Sequence, residues 1–266
     1  MTNNINPRAT SIYHALGMGM TLGCIEATVN HPLWAFGVRV STHLPWTLNP
    51  KILYSGFGVH CAGSLPVDTI QTTIGRLFFE RVISKDRSET ERRLLAGFTG
   101  GALSNFVMCP MEMVMTRQQK YPHETASQAT KAIYSAYKTK GFFIGFSPLL
   151  VREGLFFAGV FGGVPLLAKK CKEKGISEFL TVVISGIGIG STTAFLSQPL
   201  AVTGSVMQVF EKNISSFATA KEIYASNGVT ALYAGLPFRL ARVSSSVLIL
   251  GNLTRFFETY FNLPLD

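Results

Sequence analysis

Charged residues are scarce in this sequence, and acidic residues are scarcer than basic ones. Only 15% of the 266 residues are charged, whereas 47% are hydrophobic, and the mean hydropathy is +0.28. This composition argues against an ordinary soluble domain and indicates a membrane protein. The net charge of +9 is typical of interfacial Lys and Arg beside anionic lipid. We therefore expect membrane lipid, and no nucleic acid, among its partners.

Cysteine is also rare, and the pattern of the cysteines argues against a metal site. The four cysteines are scattered through apolar segments without the spacing of metal ligands, and they are Cys24, Cys61, Cys109 and Cys171. Such residues usually act as small core side chains. No nucleophile–base pair and no metal-ligand cluster is evident in the sequence. We expect no catalytic residue, no metal and no cofactor, and the protein is not predicted to be an enzyme.

Long uncharged stretches instead carry a repeated pattern of glycine and proline. The stretch from Leu94 to Met111 has no charged residue, and its roughly 18 positions approach the roughly 20 that a membrane-spanning α-helix needs. Proline bends such a helix because it removes a backbone donor. Two glycines lie thirteen and nine residues before each of three prolines: Gly19, Gly23 and Pro32; Gly97, Gly101 and Pro110; Gly186, Gly190 and Pro199. We predict a helix kink at each proline.

A second marker follows each proline, an aromatic residue two positions before a glycine. The three pairs are Tyr54 and Gly56, Phe143 and Gly145, and Tyr233 and Gly235. Each pair begins another apolar stretch, so each copy of the pattern holds two helices. The sequence therefore predicts three tandem two-helix repeats, at residues 1–88, 89–175 and 176–266, with six transmembrane helices in total.

These repeats resemble the mitochondrial carrier family. Pro110-Met-Glu112 to Arg117 is the fullest copy of the family motif, in which an acid and a base follow the proline, whereas the copy at Pro199 keeps only the proline. The resemblance implies an all-α membrane protein whose six helices surround a central cavity. It also implies a monomeric, multi-pass protein of the mitochondrial inner membrane, with a small-molecule solute and lipid such as cardiolipin as partners. The first copy has a shorter connection after its proline, which predicts loss of a surface helix there.

The resemblance also implies where a solute would bind. Family members contact the solute seven and eight residues after the glycine of each aromatic-x-Gly, which here gives Gly63 and Ser64, Arg152 and Glu153, and Arg242 and Val243. Guanidinium groups suit a carboxylate or phosphate, so Arg152 and Arg242 are the main candidates. We expect either to be replaceable by alanine without loss of folding.

The two other contact positions have more than one interpretation. Glu153 after Arg152 resembles the pair in carriers of amino acids and related zwitterions, where the acid meets a substrate ammonium; alternatively it only neutralises Arg152. Position 63 holds glycine, whereas many nucleotide carriers have an arginine at the corresponding contact. A larger cavity is expected at that point.

The gates that the family implies are strongly reduced. The family places an acid two residues and a base five residues after each proline, and here only Glu112 remains of six charges. Glu112 is expected to face Gly204, which offers no side chain. The resemblance adds four gate candidates beside Glu112: Arg39, Arg117 and the bracing glutamines Gln119 and Gln208.

The functional hypothesis is a carrier that exchanges a small anionic or zwitterionic metabolite, an amino acid-like compound or a nucleotide, by alternating access. The first alternative is a degenerate carrier that acts as a scaffold, receptor or protein-insertion factor, and the second is a leaky uniporter or channel-like pore. The reduced gates favour the alternatives. Arg152 and Arg242 favour transport, because charges inside a membrane are costly and packing does not require them.

Overall fold

A computed structural model describes the backbone of residues 7–261 and the side-chain surroundings of residues 21, 23–64 and 66–249. The outer ends of the first and third predicted repeats, 1–6 and 262–266, lie outside the described residues. Within 7–261 there is no strand, so the predicted all-α class is confirmed. The helices are α1 (Pro7–Ser41), α2 (Pro50–Leu53), α3 (Phe57–Leu77), α4 (Glu89–Lys120), α5 (Ala126–Tyr137), α6 (Phe146–Ala158), α7 (Val164–Glu173), α8 (Glu178–Val209), α9 (Ser216–Ala231) and α10 (Leu236–Phe261).

Six helical segments are long, namely α1, α3, α4, α6 with α7, α8 and α10. A π-helical turn, Phe78–Val82, extends α3, and another, Gly159–Gly163, joins α6 to α7. Among the described residues, three segments are long and apolar enough to cross a membrane: α4, the segment Phe146–Glu173 and α8. The three repeated prolines lie inside helices α1, α4 and α8, as predicted.

Each aromatic-x-Gly motif ends in a glycine that caps the next helix. Gly56, Gly145 and Gly235 have φ of +90°, +77° and +75°. The first two are the N-cap residues of α3 and α6, and Gly235 directly precedes α10. A side chain at positive φ is strained, whereas glycine adopts this conformation readily. The motif therefore marks the sharp turn by which the chain enters the second helix of each pair.

The long helices pack in a closed ring, each against the next in the chain, and α10 closes the ring against α1. Glycines make the closest of these contacts. A Cβ on Gly101 of α4 would lie 2.4 Å from the Glu153 carbonyl oxygen of α6, and one on Gly190 of α8 would lie 2.6 Å from Val243 Cγ1 of α10. Small residues allow this close approach of helices. The surroundings of Gly19 lie outside the described residues.

Short helices connect the members of the long pairs. The connections after α4 and α8 contain α5, of 12 residues, and α9, whose 16 residues include a non-helical break at Asn227 and Gly228. The first connection contains only the four residues of α2. The predicted loss of a surface helix is therefore confirmed. In its place, Trp46 stacks on Phe36 of α1 and lies 6.0 Å from the ring of Phe238 of α10. This loop covers the seam at which the ring closes.

Candidate solute-binding site

A pocket with a cavity volume of about 60 Å³, which opens to solvent, lies between α1, α6, α8 and α10. Arg152 of α6 and Arg242 of α10, the two main candidates from the sequence, both line it. A third arginine, Arg239, lines the same pocket. Since arginine stays charged and carries a planar fork of donors, the pocket concentrates sites for an anionic group.

Arg152 is held by two carboxylates. Its Nη2 lies 2.9 Å from Glu112 Oε1 and 2.7 Å from Glu153 Oε1, and its Nε donates to the same Glu153 oxygen at 2.9 Å. All three residues are buried, with 6–8% of their surface exposed. Charge-assisted hydrogen bonds of this kind are short and strong. The carboxylate predicted for a gate and the pair predicted for solute binding thus form one cluster, the Arg152 triad.

The Arg152 triad corrects the expectation that Glu112 faces Gly204. A Cβ added to Gly204 would lie only 2.5 Å from Leu149 Cδ2, so the α-carbon of Gly204 packs against α6. The Glu112 carboxylate is bound by Arg152 instead. The expectation was wrong because the lost base of the third repeat left no partner there, whereas Arg152 of the adjacent helix lies within reach.

The positions five residues after each proline, Gly37, Met115 and Gly204, serve close packing. A Cβ on Gly56 would lie 3.2 Å from the Met115 α-carbon. A Cβ on Gly145 would lie 3.0 Å from the Gly204 carbonyl oxygen, and one on Gly235 would lie 2.7 Å from that of Gly37. Each contact joins the second helix of one pair to the first helix of the next. Backbone packing therefore occupies the places where the family has basic gate residues.

Arg239 is a pocket residue that the sequence analysis did not select. It lies four residues after Gly235, and its only signal in the sequence was a charge inside an apolar stretch. Its Nη2 donates to Ser197 Oγ at 2.8 Å, and its Nη1 donates to Gln198 Oε1 at 3.2 Å. Both partners are neutral. Within the described residues, neither Arg239 nor Arg242 forms an ion pair.

The first predicted contact position lies in helix interfaces and not among the residues that line this pocket. A Cβ on Gly63 would lie 1.5 Å from Met111 Cε of α4, and one on Gly23 of α1 would lie 3.3 Å from Ser64 Oγ. The Ser64 hydroxyl donates to the Cys61 carbonyl at 3.1 Å. Met111 fills the space directly beside Gly63, and both residues line a second pocket, of about 770 Å³, along α3 and α4. The larger solute cavity expected at Gly63 stays a prediction.

Two predicted gate arginines make different contacts. Arg39 is buried and donates through Nε to the Pro45 carbonyl at 2.8 Å and through Nη1 to the Gln119 carbonyl at 3.0 Å. Arg117 pairs with Glu124 and with Glu211, each at 2.7 Å. Sequence analysis missed both acids, which lie in the connections after α4 and α8 and outside the family motif. Arg39 thus holds the first loop, and Arg117 ties the end of α4 to the end of α8.

The two predicted bracing glutamines bind backbone carbonyls of neighbouring elements. Gln119 donates to Ile52 and Ser55 at 3.1 and 2.8 Å, in the turn before α3. Gln208 of α8 donates to Cys109 of α4 at 3.4 Å. Both side chains are buried, and each joins two helix pairs at the same end of the ring.

A polar cluster joins α1 to α10 one turn beyond Arg242. Glu26 accepts hydrogen bonds from Asn30 Nδ2 and Ser246 Oγ, both at 2.7 Å, and Ser245 donates to Asn30. The sequence had shown Glu26 only as a charge that interrupts an apolar stretch. Helix geometry places Ser246 on the face of Arg242, four residues earlier. An acidic group therefore lies close to the arginines of the pocket.

Comparisons with known proteins agree with this architecture. A family model described as "Mitochondrial carrier protein" matches residues 86–174 and 176–262. The chain is 25% identical to the mitochondrial glycine transporter of Vanderwaltozyma polyspora, over 88% of the chain and 91% of that protein.

Two further relatives have other solutes in their names. The mouse mitochondrial 2-oxodicarboxylate carrier is 29% identical over 58% of the chain and 56% of its own length. The probable S-adenosylmethionine carrier 2, chloroplastic, of Arabidopsis thaliana is 24% identical over 85% of the chain and 68% of its own length. The relatives thus share an architecture and differ in the solute.

Proposed function

Because this chain belongs to the mitochondrial carrier family, a family of multi-pass mitochondrial membrane transporters, we propose that it moves a small anionic or zwitterionic metabolite across the inner membrane by alternating access. All six long helical segments cross the membrane in this proposal, two from each of the three repeats. The charged residues Glu26, Asp68 and Arg242 then face the interior of the ring, where they avoid lipid.

The pocket with three arginines carries this proposal. Arg152, Arg239 and Arg242 line one space between helices, and charges inside a membrane are costly and usually mark a functional site. Glycine, a 2-oxodicarboxylate and S-adenosylmethionine, the solutes in the names of the relatives, all carry at least one carboxylate. A guanidinium can bind a carboxylate through two parallel hydrogen bonds.

The main rival is a degenerate carrier that serves as a scaffold. It is favoured by the gate positions, where Gly37 and Gly204 make close backbone contacts in place of ion pairs. Transport separates the two hypotheses. Proteoliposomes that contain the purified protein and are preloaded with glycine, 2-oxoglutarate or ATP should take up the labelled form of at least one of them. A protein that moves no solute of this panel would support the scaffold.

Glu153 distinguishes two kinds of solute. If its carboxylate meets a substrate ammonium, Glu153→Gln should reduce uptake of amino acids at least tenfold more than uptake of dicarboxylates, because only amino acids lose a charged partner. Arg152 keeps Glu112 as a partner in this variant, which limits structural damage. Equal losses for all solutes would mean that Glu153 acts only through Arg152.

A further inference from the structure

The arginines of the pocket are not equivalent, because only one of them is already neutralised. Arg152 binds two carboxylates, so the Arg152 triad carries a net charge of −1 when all three groups are ionised. Arg239 and Arg242 have no acidic partner within ion-pair distance among the described residues. A solute carboxylate that approached Arg152 would be repelled by the two carboxylates bound to it, whereas the charges of the other two arginines are not paired within the described residues.

The two unneutralised arginines lie on one face of one helix. Arg239 and Arg242 are three residues apart in α10, the spacing that places side chains side by side, and both line the pocket. A guanidinium has five N–H donors, and two of those of Arg239 are engaged by Ser197 and Gln198. The pair can therefore present further donors to a single anionic group.

The neutral partners of Arg239 are themselves fixed. Ser197 donates its own proton to the Thr193 carbonyl at 2.6 Å, which leaves its oxygen free to accept from Arg239. Gln198 donates its amide to the Ala234 carbonyl at 2.8 Å, which turns its oxygen towards the same guanidinium. These bonds orient Arg239 without cancelling its charge. Such preorganised donors are what a binding site for an anion requires.

We propose that the carboxylate of the solute binds between Arg239 and Arg242, and that Arg152 is a positioning residue that holds Glu112 and Glu153. This inference rests on the proposed function and names the solute class for it. Arg152 lines the same pocket as the positive pair, and the carboxylates of Glu112 and Glu153 lie directly behind it. A solute that has an ammonium beside its carboxylate matches both, so the site selects amino acid-like zwitterions.

The test compares single neutralising variants in proteoliposomes with labelled glycine and labelled 2-oxoglutarate. Arg239→Gln and Arg242→Gln should each raise the concentration for half-maximal uptake at least tenfold, for every solute that the parent transports, since both solutes carry a carboxylate. Arg239→Lys keeps the positive charge but loses the planar set of guanidinium donors. It should therefore raise the concentration for half-maximal uptake less than Arg239→Gln does. Arg93→Gln is the matched control, because Arg93 pairs with exposed Glu89 at the start of α4, and it should transport like the parent.

Folding is measured beside transport, by the melting temperature of each variant in detergent. Loss of uptake with a melting temperature close to that of the parent supports the proposal. Parent-like uptake by Arg239→Gln would overturn it and leave the proposed function intact. The proposal would also be overturned if Arg239→Gln and Arg239→Lys both lost uptake in parallel with a fall in melting temperature. Arg239 would then have a structural role. A parent that transports neither solute would overturn the zwitterion assignment and the proposed function for this panel.

Discussion

Replacement of Arg152 by alanine tests how charge is distributed in the pocket. Sequence analysis treated Arg152 as a solute ligand whose loss leaves folding intact. In the structure its guanidinium is the common partner of Glu112 and Glu153, which come from α4 and α6. Arg152→Ala would leave two carboxylates buried near each other without a counter-charge. We therefore expect the variant to lose stability as well as transport.

The size of the loss follows from the burial and the distances. The two ion pairs are 2.9 and 2.7 Å long, and the side chains of Arg152 and its partners are 7–10% exposed. Removal of one partner from a buried pair costs about 3–5 kcal/mol, because the remaining charge stays desolvated. At roughly 2–4 °C per kcal/mol for a chain of this size, the melting temperature should fall by on the order of 10 °C.

A compensating variant separates charge from packing. Arg152→Met combined with Glu112→Gln and Glu153→Gln removes all three charges and keeps similar volumes, so most of the lost stability should return. The measurement is thermal unfolding of the purified variants in one detergent, at equal protein concentration. The reasoning would be refuted if Arg152→Ala had the same melting temperature as the parent. It would also be refuted if the triple variant had a melting temperature as low as that of Arg152→Ala.

Two further predictions concern helix contacts. Gly101→Ala should lower stability by about 1–3 kcal/mol, because its Cβ would lie 2.4 Å from the Glu153 carbonyl oxygen, a case of overpacking. Gly58→Ala, with no atom within 4 Å of its Cβ, is the control and should match or slightly exceed the parent melting temperature. Arg117→Gln breaks two partly exposed ion pairs and should cost about 1 kcal/mol, less at high salt because such pairs are screened. A loss that does not change with salt would mean that packing, and not charge, gives Arg117 its role.

Local features of this chain could be predicted because they depend on neighbouring residues. Proline at positions 32, 110 and 199 removes a donor wherever it occurs, and the helices continue through each of them. Gly145 marks a helix start because the turn needs a positive φ that other residues avoid. The short helix α2 in place of a surface helix after α1 followed from the short first connection together with the family resemblance.

Partners across the ring could not be predicted in this way. Glu112 and Arg152 are 40 residues apart, and Gly63 and Met111 lie on different helices. Which side chains meet depends on the rotation of each helix about its axis and on the volume left by its neighbours. Arg239 escaped notice for the same reason, since its neutral partners Ser197 and Gln198 come from α8.

The sequence by itself therefore determined the helices, the positions of their prolines, the family and the presence of arginines in apolar stretches, because each of these is encoded by residue spacing along the chain. Only the tertiary structure decided which arginine is neutralised. Packing of α4 on α6 brings Glu112 to Arg152, which also binds its neighbour Glu153, whereas Arg239 of α10 meets the neutral Ser197 and Gln198 of α8. Electrostatic interactions fall off with distance and depend on burial, so the charges of the pocket acquire their roles from the arrangement of the helices.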